Sequence, residues 1–170
     1  MFQVNDVIIY GTQGVCKITG TEVKTVNGAK KTYFILKPVN DKGSTIFAPT
    51  DNELVLKKMR RLLTKAEIHA LIDAMPEENA VWVANENERK EQYKHILSQG
   101  DHQALIKMIK AIYAHKRERE AEGKRLHMSD ERFFKDAEQI LYNEFQYVLN
   151  IKSKDELMTY IFKRIEMDNP

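Results

Sequence analysis

Residues 26–39 read VNGAKKTYFILKPV, and the fold of the first third of the chain turns on them. Asn27-Gly28 is a strong hairpin signal, because a type I′ turn needs positive φ at both central residues. The segment after it, KTYFILKPV (31–39), is rich in β-branched and aromatic residues. Its YFIL core (33–36) is apolar on both faces, which predicts the best-covered strand of a sheet. Working outward, VCKITGTEV (15–23) precedes the turn and VIIY (7–10) stands before Gly11 and Gly14. STIFAP (44–49) follows a turn at Asp41-Lys42-Gly43. ELVL (53–56) is expected to add a short fifth strand. Short strands joined by tight turns predict a small, strongly bent sheet of the SH3 or Tudor type.

From about residue 60 the apolar period becomes helical. Thr64-Lys-Ala-Glu67 is a capping box, opening a helix with Ile68, Leu71, Ile72 and Met75 on one face, and Pro76 ends it. A second helix is expected from near Asn79 to Leu97, closed by Gly100, with Asp101 capping the next. That third helix carries Leu105, Met108, Ile109, Ile112 and Tyr113 and ends near Gly123. Ser129 or Asp130 is read as the cap of a fourth, with Phe133, Phe134, Ala137, Ile140, Leu141 and Phe145 inward. Ser153-Lys-Asp-Glu156 caps a last helix through Ile165. The expected class is α+β: an N-terminal SH3/Tudor-like sheet over residues 1–58, then a bundle of about five helices over residues 61–166.

Composition excludes several functions. The 170 residues are 42% hydrophobic and 31% charged, a globular balance. A net charge of +2 is too weak to mark a nucleic-acid binder, so any such role rests on local clusters. No apolar run reaches the roughly 18 residues of a membrane span, and MFQVNDVIIYG lacks the pattern of a signal peptide. A soluble, cytoplasmic protein without a membrane partner is expected. The single Cys16 leaves no internal disulfide. There is no glycine-rich phosphate loop, no H-E-x-x-H and no G-x-S-x-G. The histidines at 69, 95, 102, 115 and 127 are dispersed and read as solvated residues. Neither an enzyme, a metal site, a cofactor nor a small-molecule substrate is expected.

Three features suit recognition. KKMRR (57–61) lies at the join of the halves and reads equally as a polar linker or as a phosphate or partner contact. On the third helix Lys107, Lys110 and Arg117 fall within an arc of roughly 80°. The only tryptophan, Trp82, stands seven residues before Arg89 and fourteen before Ile96. On a continuous helix that line turns Trp82 toward the bundle core or its edge, while an exposed wedge is the other reading.

In their order, these segments resemble the CarD/CdnL-like bacterial transcription regulators. FQVNDVIIYGTQGVCKITG (2–20) is similar to the family's opening, VNGAKKTYFILKP (26–38) to its hairpin and central strand, and IFAPTDN (46–52) to the strand that follows. YKHILSQGD (93–101), before a basic third helix, matches a tyrosine-lysine, leucine, glycine-aspartate pattern. The resemblance implies a Tudor-like RNA polymerase-interacting domain, also found in the transcription-repair coupling factor, docked on the polymerase β subunit by a sheet edge. It implies a helical half that faces promoter DNA at the upstream bubble edge, with a tryptophan at the minor groove and bases on phosphates, stabilising the open complex. Lys24, Phe47 and Thr45 are the polymerase candidates it suggests. Phe47 stands where better-known members carry an arginine, which makes that contact apolar. Trp82, Arg89, Lys90, Lys94, Lys107, Lys110 and Arg117 are the DNA candidates. Trp82 lies further upstream than the family's tryptophan and is followed by VANENE, whose acids oppose a DNA backbone. An adaptor whose helical domain contacts another protein is the alternative.

Overall fold

The computed structural model describes residues 1–168. The chain divides into two compact units, Met1–Leu62 and a second from Leu63 onward.

In the first unit, β1 (Val7–Tyr10), β2 (Val15–Val26), β3 (Ala29–Pro38), β4 (Ile46–Pro49) and β5 (Met59–Arg61) form one five-stranded sheet. Its order is β4-β3-β2-β1-β5, and every neighbouring pair is antiparallel. The β2–β3 turn has the backbone its residues favour, with φ of 51° at Asn27 and 79° at Gly28. The long hairpin runs in register from Val26↔Ala29 to Gly20↔Ile35, then slips between Gly20 and Ile18. Such a bulge bends the strand and sharpens its twist. Ile8, Cys16, Ile18, Leu36, Ala48 and Met59 form the buried core. Burial pushes the Cys16 thiol up to about 11, which keeps it protonated and inert. Of YFIL, only Leu36 is buried and the other three residues are half-buried. A sheet this small covers one face well and leaves the other partly wet.

Two expectations in this unit are corrected. ELVL is not a strand but the short helix α1 (Glu53–Leu56), because the Asn52 carboxamide accepts from Leu54 N (3.0 Å) and Val55 N (3.2 Å). The fifth strand comes instead from the basic run, as Met59, Arg60 and Arg61 pair with Tyr10, Ile9 and Ile8. Met59 turns into the core at 5% exposure, so the MRR of KKMRR is an edge strand and not a linker.

The second unit holds α2 (Lys65–Ala74), α3 (Glu86–Gln99), α4 (His102–Ala121), α5 (Met128–Leu149) and α6 (Lys154–Asp168). The capping box at α2 is complete: Glu67 N donates to Thr64 Oγ1 (3.2 Å) and Thr64 N to Glu67 Oε2 (2.7 Å). Gly100 closes α3 at φ 67°, and Asp101 starts α4 by accepting from Ala104 N at 2.9 Å. Ser153 Oγ accepts from Glu156 N at 3.1 Å at the start of α6. Ile68, Ile72, Leu105, Ile112, Leu141 and Phe145 lie at the centre of the core. Inside it sits a carboxylate, Glu144, which accepts from Leu63 N at 2.8 Å and lies 2.9 Å from His102 Nε2.

Here too two boundaries move. α3 starts at Glu86, with Asn85 accepting from Glu88 N at 3.0 Å, so Trp82 precedes the helix rather than riding on it. Pro76 and a 3-10 turn (Met75–Glu77) lead into extended chain before it. α5 starts at Met128 with His127 at the cap position, which places Ser129 and Asp130 inside the first turn.

Candidate functional site

On the first unit a cation and two rings share one patch. Lys24 of β2 extends its ammonium over Phe47 of β4, 3.5 Å from the ring centroid, and stands 5.9 Å from that of Tyr33 on β3. The lysine stem lies along apolar surface while the charge meets the ring face, an arrangement worth about 0.5–1 kcal/mol at exposed sites. Phe47 is 38% exposed. Thr45 is exposed as well, and its hydroxyl accepts from Lys37 Nζ. β4 is an outer strand of the sheet, so this patch borders an edge with unpaired backbone groups. Lys24 and Phe47 therefore meet in one patch with Tyr33, while Thr45 stands just before β4 and contacts Lys37. Tyr33 was not among the polymerase candidates, since strand spacing alone does not reveal which side chains meet across three strands.

On the second unit the candidates separate into two kinds. Arg89 is 3% exposed and gives Nε and Nη2 to Asp130 Oδ1 and Oδ2, at 2.8 and 3.0 Å. Its Nη1 donates to the carbonyls of Val83 (3.0 Å) and Ala84 (3.4 Å), which fixes the chain just before α3. The guanidinium also stands 4.4 Å from the ring centroid of Trp82. Trp82 itself is half-buried against the helical core and stacks on His115 of α4, at 3.7 Å between centroids and 8° between planes. Lys110 donates to the carbonyls of Met75 and Glu78, each at 2.7 Å, and so ties down the start of the same segment.

Arg89 and Lys110 are thus engaged within the fold. Trp82 is packed, though it gets there from an extended segment and not along the predicted helical line. The remaining bases reach solvent, three of them beside acids. Lys90 pairs with Glu86 (2.9 Å), Lys94 with Glu91 (3.4 Å) and Lys107 with Glu78 (3.6 Å). Arg117 is exposed and its Nη1 donates to the Tyr113 hydroxyl at 3.1 Å.

Sequence reading missed His115 and Asp130. Three of the dispersed histidines are half-buried and engaged: His115 stacks on Trp82, His69 hydrogen-bonds Tyr160, and His102 meets Glu144. Burial, and next the Arg119 cation, lower the pKa of His115 against the opposing pull of Asp130 and Glu118. Among the described residues no three His, Cys, Asp or Glu side chains gather as metal ligands would. No helix among them is long and apolar enough to cross a membrane.

The first unit thus presents a five-stranded sheet with a cation-capped aromatic patch beside its β4 edge. Residues 2–63, nearly the whole of the first unit, match the family model described as the CarD-like/TRCF RID domain. The match supports a transcription-related role through RNA polymerase binding. No curated protein matches the chain.

Proposed function

We propose that this protein is a non-enzymatic transcription regulator that docks on the β subunit of RNA polymerase and contacts promoter DNA with its helical unit. The domain match over residues 2–63 carries the first part. Lys24, Phe47 and Thr45 beside the β4 edge supply what such docking needs, namely backbone groups for strand addition and side chains for specificity. Of the DNA candidates in the helical unit, Lys90, Lys94, Lys107 and Arg117 are those that reach solvent, and they would meet phosphates near the upstream edge of the bubble. Trp82 acts in this reading as the anchor that holds the segment before α3, rather than as a free wedge. The open complex would be stabilised by backbone contacts that read DNA shape, with polymerase supplying most of the affinity.

The test has two parts. Lys24→Glu, which reverses the charge over Phe47, should abolish retention of the full chain by the polymerase β subunit, and normal retention would reject the docking surface. In a promoter open-complex lifetime assay, the wild-type chain should lengthen the lifetime and Arg117→Glu should reduce that effect. A second reading has its own support. Three of the four solvent-facing bases are paired with Glu86, Glu91 and Glu78, which weakens the field available to phosphates. A polymerase-bound adaptor whose helical unit contacts another protein would leave the lifetime unchanged.

A further inference from the structure

In the second unit α4, α5, α6 and the 3-10 turn after α2 line a groove of about 530 Å³. Its walls are almost wholly apolar. Ile109 and Ile161 are buried at its base, Phe134 and Met158 are half-buried along it, and Tyr113 and Phe162 are 50% and 61% exposed. Two of the exposed large hydrophobic residues of the chain therefore flank one cavity. Charge is confined to Lys110, Lys116, Lys154 and Glu138. Glu138 is already matched by Lys154 at 2.9 Å. Lys110 is held by backbone carbonyls, which orient its ammonium but leave its charge uncompensated. Lys116 is half-buried and makes no ion pair among the described residues.

An apolar groove of this volume with a few convergent polar groups has the make-up of a small-molecule site. The excess of ammonium groups decides the sign of the ligand: a cation is repelled, and a neutral chain leaves Lys116 without a partner. We propose that the groove binds a single-chain amphiphilic carboxylate. Its chain would lie along Ile109, Phe134, Ile161 and Phe162, and its head would accept from Lys116 within the field of Lys110. The site adjoins the DNA surface proposed above at Tyr113, whose hydroxyl accepts from Arg117, and lies on the other unit from the polymerase patch.

Calorimetric titration of the full chain with decanoate, decanol and decyltrimethylammonium, each below its micellar concentration, tests the proposal. Decanoate should bind about tenfold more tightly than decanol, the effect of one charged hydrogen bond, and the cation more weakly than either. Lys116→Gln should bring decanoate to the level of decanol and leave decanol unchanged. Phe162→Ser should weaken both. Phe162 is exposed and Lys116 lies on a helix surface, so both variants should keep the far-ultraviolet spectrum of the parent. Equal binding of decanoate and the cation, or decanoate binding indifferent to both substitutions, would overturn the site. Sedimentation showing a dimer that Phe162→Ser dissociates would do so as well, because a second copy would then cover the groove.

Discussion

The indole of Trp82 lies face to face on the imidazole of His115, with the planes 8° apart and the centroids separated by 3.7 Å. This contact holds the indole against α4. A ring stacked on one helix, with the Arg89 guanidinium 4.4 Å from its centroid, is held by contacts that a DNA wedge would have to break.

The stack should respond to acid. His115 titrates below its ordinary value of 6.5, chiefly through burial and then through Arg119. As pH falls, the unfolded chain takes up this proton before the folded one does. The stability contributed by neutral His115 is therefore complete above about 6.5 and declines as pH drops through the interval down to the lowered value. Trp82 emission should change in that same interval, and the urea midpoint should fall with it. His115→Phe keeps a ring beneath the indole and should flatten the emission profile. An unaltered acid transition in that variant would mean that another group controls it.

The ion pair behind the stack carries a larger effect. Asp130 is fully buried and receives both forks of Arg89. Asp130→Asn leaves a buried guanidinium uncompensated, which should cost about 3–5 kcal/mol in urea unfolding. Arg89→Lys should not restore the parent, because an ammonium cannot span both carboxylate oxygens and two carbonyls. Replacing both partners together, as Arg89→Met with Asp130→Leu, should cost much less than Asp130→Asn alone. If the single and double variants lose equally, the pair's contribution is one of shape and not of charge.

What the sequence disclosed follows from range. The Asn27-Gly28 turn, the Thr64 capping box, the Gly100 stop and the Asp101 cap are all encoded within a few residues, and each is found where the residue types place it. The errors needed partners distant in the chain. Met59 joins β1 because Tyr10 is across from it, although two arginines hide the strand in any local window. ELVL has the composition of a strand, yet Asn52 captures its first amides. Arg89 and Asp130 are 41 residues apart, and nothing near either one announces the other. The same limit hides a difference between two bases grouped by the sequence: Lys110 resembles Lys107, but Lys110 is the one bonded to the carbonyls of Met75 and Glu78.

The Thr64 cap gives a prediction of stability alone. Its hydroxyl satisfies Glu67 N, while the Glu67 carboxylate satisfies Thr64 N. Thr64→Ala should lower the stability of the helical unit by about 1 kcal/mol, measured by thermal or urea unfolding at neutral pH. Thr64→Ser should retain most of it. A loss in both variants would assign the effect to the threonine methyl instead.

Lys110 and Arg117 lie seven residues apart on one helix and should fail in different ways. Lys110 closes the chain end after α2 through the carbonyls of Met75 and Glu78, so Lys110→Met should reduce stability and leave any DNA affinity of the folded protein intact. Arg117 reaches solvent, its guanidinium 5.8 Å from the Tyr113 ring. If the helical unit meets promoter DNA, Arg117→Ala should weaken binding evenly across sequences and reduce the slope of log affinity against log salt by about 1. The acids beside the other bases supply the opposite test. Glu86→Gln and Glu91→Gln remove charges that repel a phosphate backbone and release Lys90 and Lys94, so together they should tighten DNA binding and steepen its salt dependence. An affinity indifferent to Arg117 and to both glutamates would remove DNA from the helical unit. The protein-contacting adaptor would then be the reading that stands.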